Sequence, residues 1–158
     1  NGALASKGRV DEAVVEQFLS HSFFSLPPPK SLDRDSFADI QSLVANLSDE
    51  DAAATLLAMS AGAVGKGMNA CPTPPKQLLV TGGGRLNPVL MREISARLPF
   101  SCEVVPVEAV GLDGDMLEAQ AFAYLAVRVI RGLPLSSPLT TGVPKPLRGG
   151  KVSRPDDS

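Results

Sequence analysis

Three stretches of the chain carry residue types that do chemistry when a fold brings them together. The first is Leu78-Leu79-Val80-Thr81-Gly82-Gly83-Gly84, running into Asn87-Pro88. An apolar run without alternation predicts a parallel strand covered on both faces. The glycines after it remove Cβ atoms and permit positive φ, so backbone N–H groups can approach a ligand closely. Asn87 is a good N-cap and Pro88 suits the first helical position. Strand, glycine turn and helix start form a cradle for phosphate, ribose or a purine. A tight turn alone would need one glycine, and three in succession favour a ligand. Gly82, Gly83, Gly84 and Asn87 are therefore the candidate nucleotide-binding residues.

The second stretch is Gly111-Leu112-Asp113-Gly114-Asp115-Met116-Leu117-Glu118. Its carboxylates gather at a predicted helix start, and Asp115 and Glu118 lie one turn apart on one face. Complementing the helix dipole accounts for them equally well on spacing alone. A carboxylate here can also position water or a hydroxyl, because the loops after parallel strands line the ligand crevice of α/β folds. The third stretch is Pro27-Pro28-Pro29-Lys30-Ser31 with Arg34. Lys30 and Arg34 suit a phosphate, although spacing favours ordinary solvated loop charge.

Spacing narrows the nucleotide. The glycine turn has neither the GxxxxGK[ST] spacing nor the lysine of a phosphate-binding loop. Gly62-Ala63-Val64-Gly65-Lys66-Gly67 lies in a predicted helix with no strand before it. Against GxGxxG, Gly82 and Gly84 match and Asn87 takes the last position. Glu108, at the end of a second predicted strand, would hold the ribose in such a fold. A dinucleotide-binding oxidoreductase lobe is thus an alternative.

The elements that must position these residues follow from periodicity. Val10 to His21 is predicted as a helix on Val14, Val15, Phe18 and Leu19. Prolines 27–29 favour an extended path, and Ser36 to Leu47 is predicted as a second helix. Ser48 caps a third, with Asp49, Glu50 and Asp51 in its first turn. That helix runs to about Asn69, and its small residues imply close neighbours. Gln77 to Thr81 is the first strand, followed by a helix to about Leu98. Cys102 to Val107 is the second strand, with Pro106 at an edge or strand end. A long helix from Asp115 to Arg131 ends at Gly132 and Pro134, and a proline-rich tail with one short ordered piece follows. The pattern is α/β, with parallel strands and helices on both faces. Two strands make too small a sheet for these helices, so the sheet is expected to be incomplete in this chain, with its missing strands upstream.

Composition excludes several classes. The chain has 158 residues, a net charge of −2 and 44% hydrophobic residues, values that suit one globular domain. The balanced charge argues against nucleic acid as a partner. No apolar run reaches the roughly 18 residues of a membrane span, and Asn1-Gly2-Ala3-Leu4 does not read as a signal peptide. Neither a membrane partner nor secretion is expected, and the cytoplasm is the expected compartment. Cys71 and Cys102 lack CxxC spacing and His21 is the sole histidine, so no metal ligand set is assigned. The cysteines are expected as free thiols, and His21 as a surface or capping residue.

An ordered set of segments resembles the anhydro-N-acetylmuramic acid kinases of the actin-like and sugar-kinase ATPase superfamily. The carriers are Asn1-Gly2-Ala3-Leu4-Ala5, Pro27-Pro28-Pro29-Lys30-Ser31, Val80-Thr81-Gly82-Gly83-Gly84 with Asn87-Pro88, Gly114-Asp115-Met116-Leu117-Glu118-Ala119 with Ala121-Phe122-Ala123, and Gly132-Leu133-Pro134 with Thr141-Gly142. The resemblance implies part of an actin-like (ribonuclease H-like) lobe: residues 1–150 as a partial C-terminal nucleotide-binding lobe and 151–158 as a flexible tail. It implies an ATP-dependent enzyme that opens the 1,6-anhydro ring of anhydro-N-acetylmuramic acid with water. Phosphorylation of the 6-oxygen would give N-acetylmuramic acid 6-phosphate in peptidoglycan recycling. ATP with Mg2+, a homodimer and the rest of the same protein are the implied cofactors and partners. The glycine turn would hold the adenosine end of ATP, and Glu118 would orient water as a catalytic residue beside a stronger base.

Two departures qualify the resemblance. Leu32-Asp33-Arg34-Asp35 stands where the family usually has Thr-Gly-Arg-Glu. The family's phosphate loop and principal catalytic aspartate fall before Asn1, so this chain alone is expected to be inactive. A non-catalytic actin-like binding module is the remaining alternative.

Overall fold

The computed structural model describes residues 2–153, except for the side chain of Arg34. Asn1 and the end of the tail, 154–158, lie outside the described residues. In chain order the elements are α1 (Glu12–Leu19), α2 (Ile40–Val44), α3 (Asp49–Met68), β1 (Gln77–Val80), α4 (Pro88–Arg97), β2 (Glu103–Pro106), α5 (Leu117–Ile130) and α6 (Pro138–Thr141). Single 3₁₀ turns lie at Ser22–Ser25, Arg34–Phe37, Gly83–Leu86 and Val107–Val110.

The helical layer is organised around α3. Ser48 caps it by accepting from the Asp51 N–H, with three carboxylates in the first turn. Its stripe of small residues lets neighbours approach closely. A Cβ on Gly65 would run into the Arg97 carbonyl at the end of α4, and one on Gly62 would come within 2.7 Å of Leu19 in α1. Val15, Ala58 and Met59 are essentially solvent-free and form the main core, with Phe18, Leu19, Ile40 and Leu43 packed around them. Buried Thr55 accepts from the Asp11 N–H at 3.0 Å, which fixes the start of α1 against α3. The sequence's expectation of a small-residue helix enclosed by neighbours matches this packing.

The predicted second helix, Ser36 to Leu47, is largely replaced. A 3₁₀ turn covers Arg34–Phe37 and the α-helix spans only Ile40–Val44. Short polar side chains compete here for the backbone. The Asp33 carboxylate accepts from the Asp35 N–H and the Ser42 hydroxyl bonds back to the Asp39 carbonyl. Phe37 turns into an aromatic cluster with Phe18, Phe23 and Phe24.

β1 and β2 pair in parallel with Val80 opposite Pro106, and α4 makes the crossover between them. Pro106 ends its strand, as its missing N–H requires. The sheet has two strands and does not close. The expectation that β1 is covered on both faces fails within the described residues. Gln77 is exposed, Leu79 is 38% exposed, and Leu78 and Val80 are only half-buried. A two-stranded sheet leaves apolar surface open that a wider, layered sheet would enclose.

α5 is apolar yet has no buried residue: Phe122 is 64% and Ile130 73% exposed. It begins at Leu117, two residues later than expected. Its C-terminus is closed by Gly132 at φ 61°, with the Leu133 N–H reaching back to the Arg128 carbonyl. The following segment holds somewhat more order than the one short piece expected of it. It contains α6 and an antiparallel bridge between Ser136 and Leu147. No described helix is long and apolar enough to cross a membrane.

Candidate functional site

The C-terminal ends of β1 and β2 place two loops side by side, and a cavity of about 520 Å³ opens between them. Thr81, Gly82 and Gly83 form one wall, and Gly114, Asp115, Leu117 and Glu118 form the other. The Thr81 hydroxyl donates to the Gly114 carbonyl at 3.3 Å across the base. The sequence-nominated Gly82, Gly83 and Glu118 thus share one cavity.

The glycine turn has its own local logic. Gly82 lies at φ 69°, ψ −176°, a conformation that strains any residue with a side chain. A Cβ on Gly82 or Gly83 would meet no atom within 4 Å, so both backbones face open space. Gly84 differs, because its Cβ position lies 3.1 Å from Leu90 Cδ2. The expected direct passage from glycine turn into helix is interrupted by the Gly83–Leu86 3₁₀ turn. Asn87 caps α4 with Oδ1, accepting from the Val89 and Leu90 N–H groups at 3.1 and 3.2 Å. The backbone of Gly2 packs directly on that oxygen. Neither Gly84 nor Asn87 lines the cavity; the Asn87 N–H donates to the Gly84 carbonyl at 3.0 Å.

The residue that sequence reasoning missed is Arg85. Its side chain is 4% exposed and its guanidinium makes three contacts. Nε donates to Glu108 Oε1 at 2.7 Å, Nη1 donates to the Gly82 carbonyl at 2.9 Å, and Nη1 lies 2.9 Å from Asp115 Oδ1. Glu108 Oε1 also accepts from the Gly114 N–H at 3.2 Å. Gly114 is required here, because a Cβ would collide with the guanidinium. The signal that could have found this cluster is topological. Residues just past the ends of adjacent parallel strands are neighbours, so Arg85 after β1 meets Glu108 after β2.

The electrostatics follow from the contacts. Hydrogen bonding to Arg85 holds the Asp115 carboxyl below its usual range, and the guanidinium's charge adds to this. Glu108 is lowered by its own backbone N–H, then by Arg85 and the Gly114 N–H. Arg85 is raised, first by Asp115 and then by Glu108. Glu108 therefore has an oxygen committed to Arg85 and Gly114 and does not line the cavity. That arrangement does not favour the ribose role which the dinucleotide-binding alternative required.

The remaining candidates have structural partners. Lys30 is half-buried, donates from Nζ to the Phe23 carbonyl at 2.7 Å, and sits 4.6 Å over the Phe23 ring. Its ammonium is held by backbone carbonyls and a ring rather than standing as a solvated loop charge. The Arg34 side chain lies outside the described residues. His21 is exposed and caps the Ser22–Ser25 turn by accepting from the Phe23 N–H through Nδ1. Cys71 and Cys102 are free thiols. Among the described residues no group of three or more His, Cys, Asp or Glu is placed to hold a metal ion.

The cavity can perform limited chemistry with these groups. It offers backbone, one hydroxyl and two carboxylates, with no lysine or arginine among the residues lining it. It suits a ligand rich in hydroxyls and neutral polar edges better than a bare phosphate. The open faces of Gly82 and Gly83 are compatible with a nucleoside lying on the chain.

Comparison with known proteins identifies a family. Residues 1–154 match the family model described as anhydro-N-acetylmuramic acid kinase. Over 155 residues the chain is 65% identical to the anhydro-N-acetylmuramic acid kinase of Cereibacter sphaeroides, covering 98% of this chain and 41% of the relative. The enzyme of that name from Ruegeria sp. (strain TM1040) is 57% identical over 155 residues, covering 98% of this chain and 41% of its own length. The one from Rhodospirillum rubrum is 53% identical over 150 residues, covering 95% of this chain and 39% of its own length. The chain spans about two fifths of the length of the curated relatives it matches.

Proposed function

This chain belongs to the anhydro-N-acetylmuramic acid kinase family, and from that premise we propose that it supplies part of the nucleotide- and sugar-handling cleft of such a kinase. The reaction is ring opening of 1,6-anhydro-N-acetylmuramic acid by water with phosphorylation of the 6-oxygen, yielding N-acetylmuramic acid 6-phosphate in peptidoglycan recycling. ATP, with Mg2+, supplies the phosphoryl group. The observation that carries the reading is the single cavity flanked by Gly82 and Gly83 on one side and Glu118 on the other.

In this reading the backbone of Thr81, Gly82 and Gly83 holds the adenosine end, with no Cβ at Gly82 or Gly83 to obstruct approach. Gly84 and Asn87 support that turn from behind. Glu118 accepts a hydrogen bond from the attacking water and orients it. The phosphate chain is handled by other parts of the full-length protein, in keeping with the absence of basic residues among those lining this cavity. The relatives' greater length supports a division of the active site between this chain and further segments. A cytoplasmic enzyme acting as a homodimer completes the proposal, the compartment following from the use of ATP.

The test is an assay of the full-length protein with ATP and the anhydro sugar. The expected result is ADP release matched by a sugar 6-phosphate. A folded full-length protein that binds NAD tightly, ignores ATP and turns over no anhydro sugar would overturn the reading.

A further inference from the structure

We infer that Arg85 is a positioning residue that sets the separation of the two cavity walls and thereby the affinity for nucleotide. The inference rests on the ATP reading above and deepens it. Arg85 does not line the cavity, so its effect must pass through the groups it holds. Through Nη1 it takes the carbonyl of Gly82, the glycine at positive φ on one wall. The same nitrogen pairs with Asp115 on the opposite wall, three residues before Glu118. Through Nε it is anchored to Glu108, beyond the end of β2. One planar fork therefore ties both walls to the sheet.

The chemistry of the contact explains why arginine stands here. A guanidinium presents several donors in a fixed plane and can satisfy a carbonyl and two carboxylates at once. A lysine ammonium carries the same charge but is a compact point donor on a flexible stem. It keeps neutralisation and loses the fixed spacing. With a side chain only 4% exposed, Arg85 has little room to exchange these partners for water. The Gly114 backbone, which tolerates no Cβ against the guanidinium, closes the remaining side.

Asp115 also faces the cavity, so a direct contact with ligand must be separated from an effect relayed by Arg85. A double-mutant cycle in the full-length protein makes that separation. Wild type, Arg85→Lys, Asp115→Asn and the double variant are compared by KM for ATP and KM for the anhydro sugar, with thermal unfolding as the control for folding. The expected result is a rise of about tenfold in KM for ATP in Arg85→Lys, with the sugar KM within about twofold. Asp115→Asn is expected to raise KM for ATP about threefold, and the double variant to match Arg85→Lys within about twofold.

A purely scaffolding role would lower the melting temperature and active fraction while leaving both KM values in place, and that result overturns the inference. Multiplying effects in the double variant would also overturn it, because Asp115 would then act independently. Should Arg85→Lys fail to fold, the same cycle is run with Glu108→Gln and Asp115→Asn, which meet at the guanidinium. Non-multiplying effects on KM for ATP are expected there, and multiplying ones contradict the inference. If the wild-type protein shows no ATP turnover, the kinase reading itself fails and the Arg85 assignment falls with it.

Discussion

The α1–α3 layer and the strand-end side of the β1–α5 unit are fastened differently, although Val89, Ile94 and Val107 of that unit are buried too. In the first, apolar burial is complete at its centre: Ala58 is 0% and Val15 and Met59 are each 1% exposed. In the second, α5 buries nothing fully, and the loops at the strand ends are fastened by one buried arginine and two carboxylates. Apolar packing is non-directional and tolerates small shifts. A forked set of charge-assisted hydrogen bonds fixes distances and directions. The region that must only stay folded uses the former, and the region proposed to hold ligand uses the latter. The large side chains of α5, Phe122, Tyr124 and Ile130 among them, stay exposed.

The contrast can be broken or sharpened by substitution. Met59→Ala opens a void in the helical core and should cost about 2–5 kcal/mol of stability, read by chemical denaturation. It should leave KM for ATP in the full-length protein unchanged, and a large KM effect would deny the division between regions. Asn87→Ala sits at the boundary, capping α4 and bearing Gly2. It should cost about 1 kcal/mol and raise KM for ATP only slightly, through loosening of the glycine turn.

The smallest effect is on acid stability. Asp51 in the helical layer is lowered first by the Arg9 backbone N–H and then by Ser48, and Glu108 and Asp115 are lowered in the site. A carboxylate with a depressed folded-state pKa binds fewer protons folded than unfolded. Its contribution is full above its unfolded value, near pH 4, and is lost as pH falls through the folded value. Stability should therefore be flat above about pH 5–6 and decline below. Asp51→Asn should reduce that slope without touching nucleotide affinity, whereas Asp115→Asn should change both.

Much of this was legible in the sequence where the determinants are local. Ser48 and Asn87 cap their helices because a short polar side chain reaches N–H groups two or three residues away. Gly82 takes positive φ because only glycine does so without strain. The small residues of α3 announced close packing. What the sequence hid depends on distant pairing. Arg85 carries no local signal, and only the pairing of β1 and β2 brings Glu108 beside it. The helix predicted from Ser36 is shortened to Ile40–Val44, with the Asp33 and Ser42 side chains offering the backbone competing bonds that periodicity does not register. The exposure of β1 follows from the expected incomplete sheet, but its extent, and that of α5, was not legible, since an apolar run reports what a segment needs and not whether the described residues supply it.

The central claim is that the Gly82–Gly83 and Glu118 walls serve one phosphoryl-transfer site, with nucleotide on the first and water on the second. Steady-state kinetics of Glu118→Gln in the full-length protein test it most directly. Turnover should fall by about 10²-fold or more while KM for ATP stays within about twofold. An unchanged turnover rate would reduce Glu118 to an acidic residue in the first turn of α5 and contradict the account.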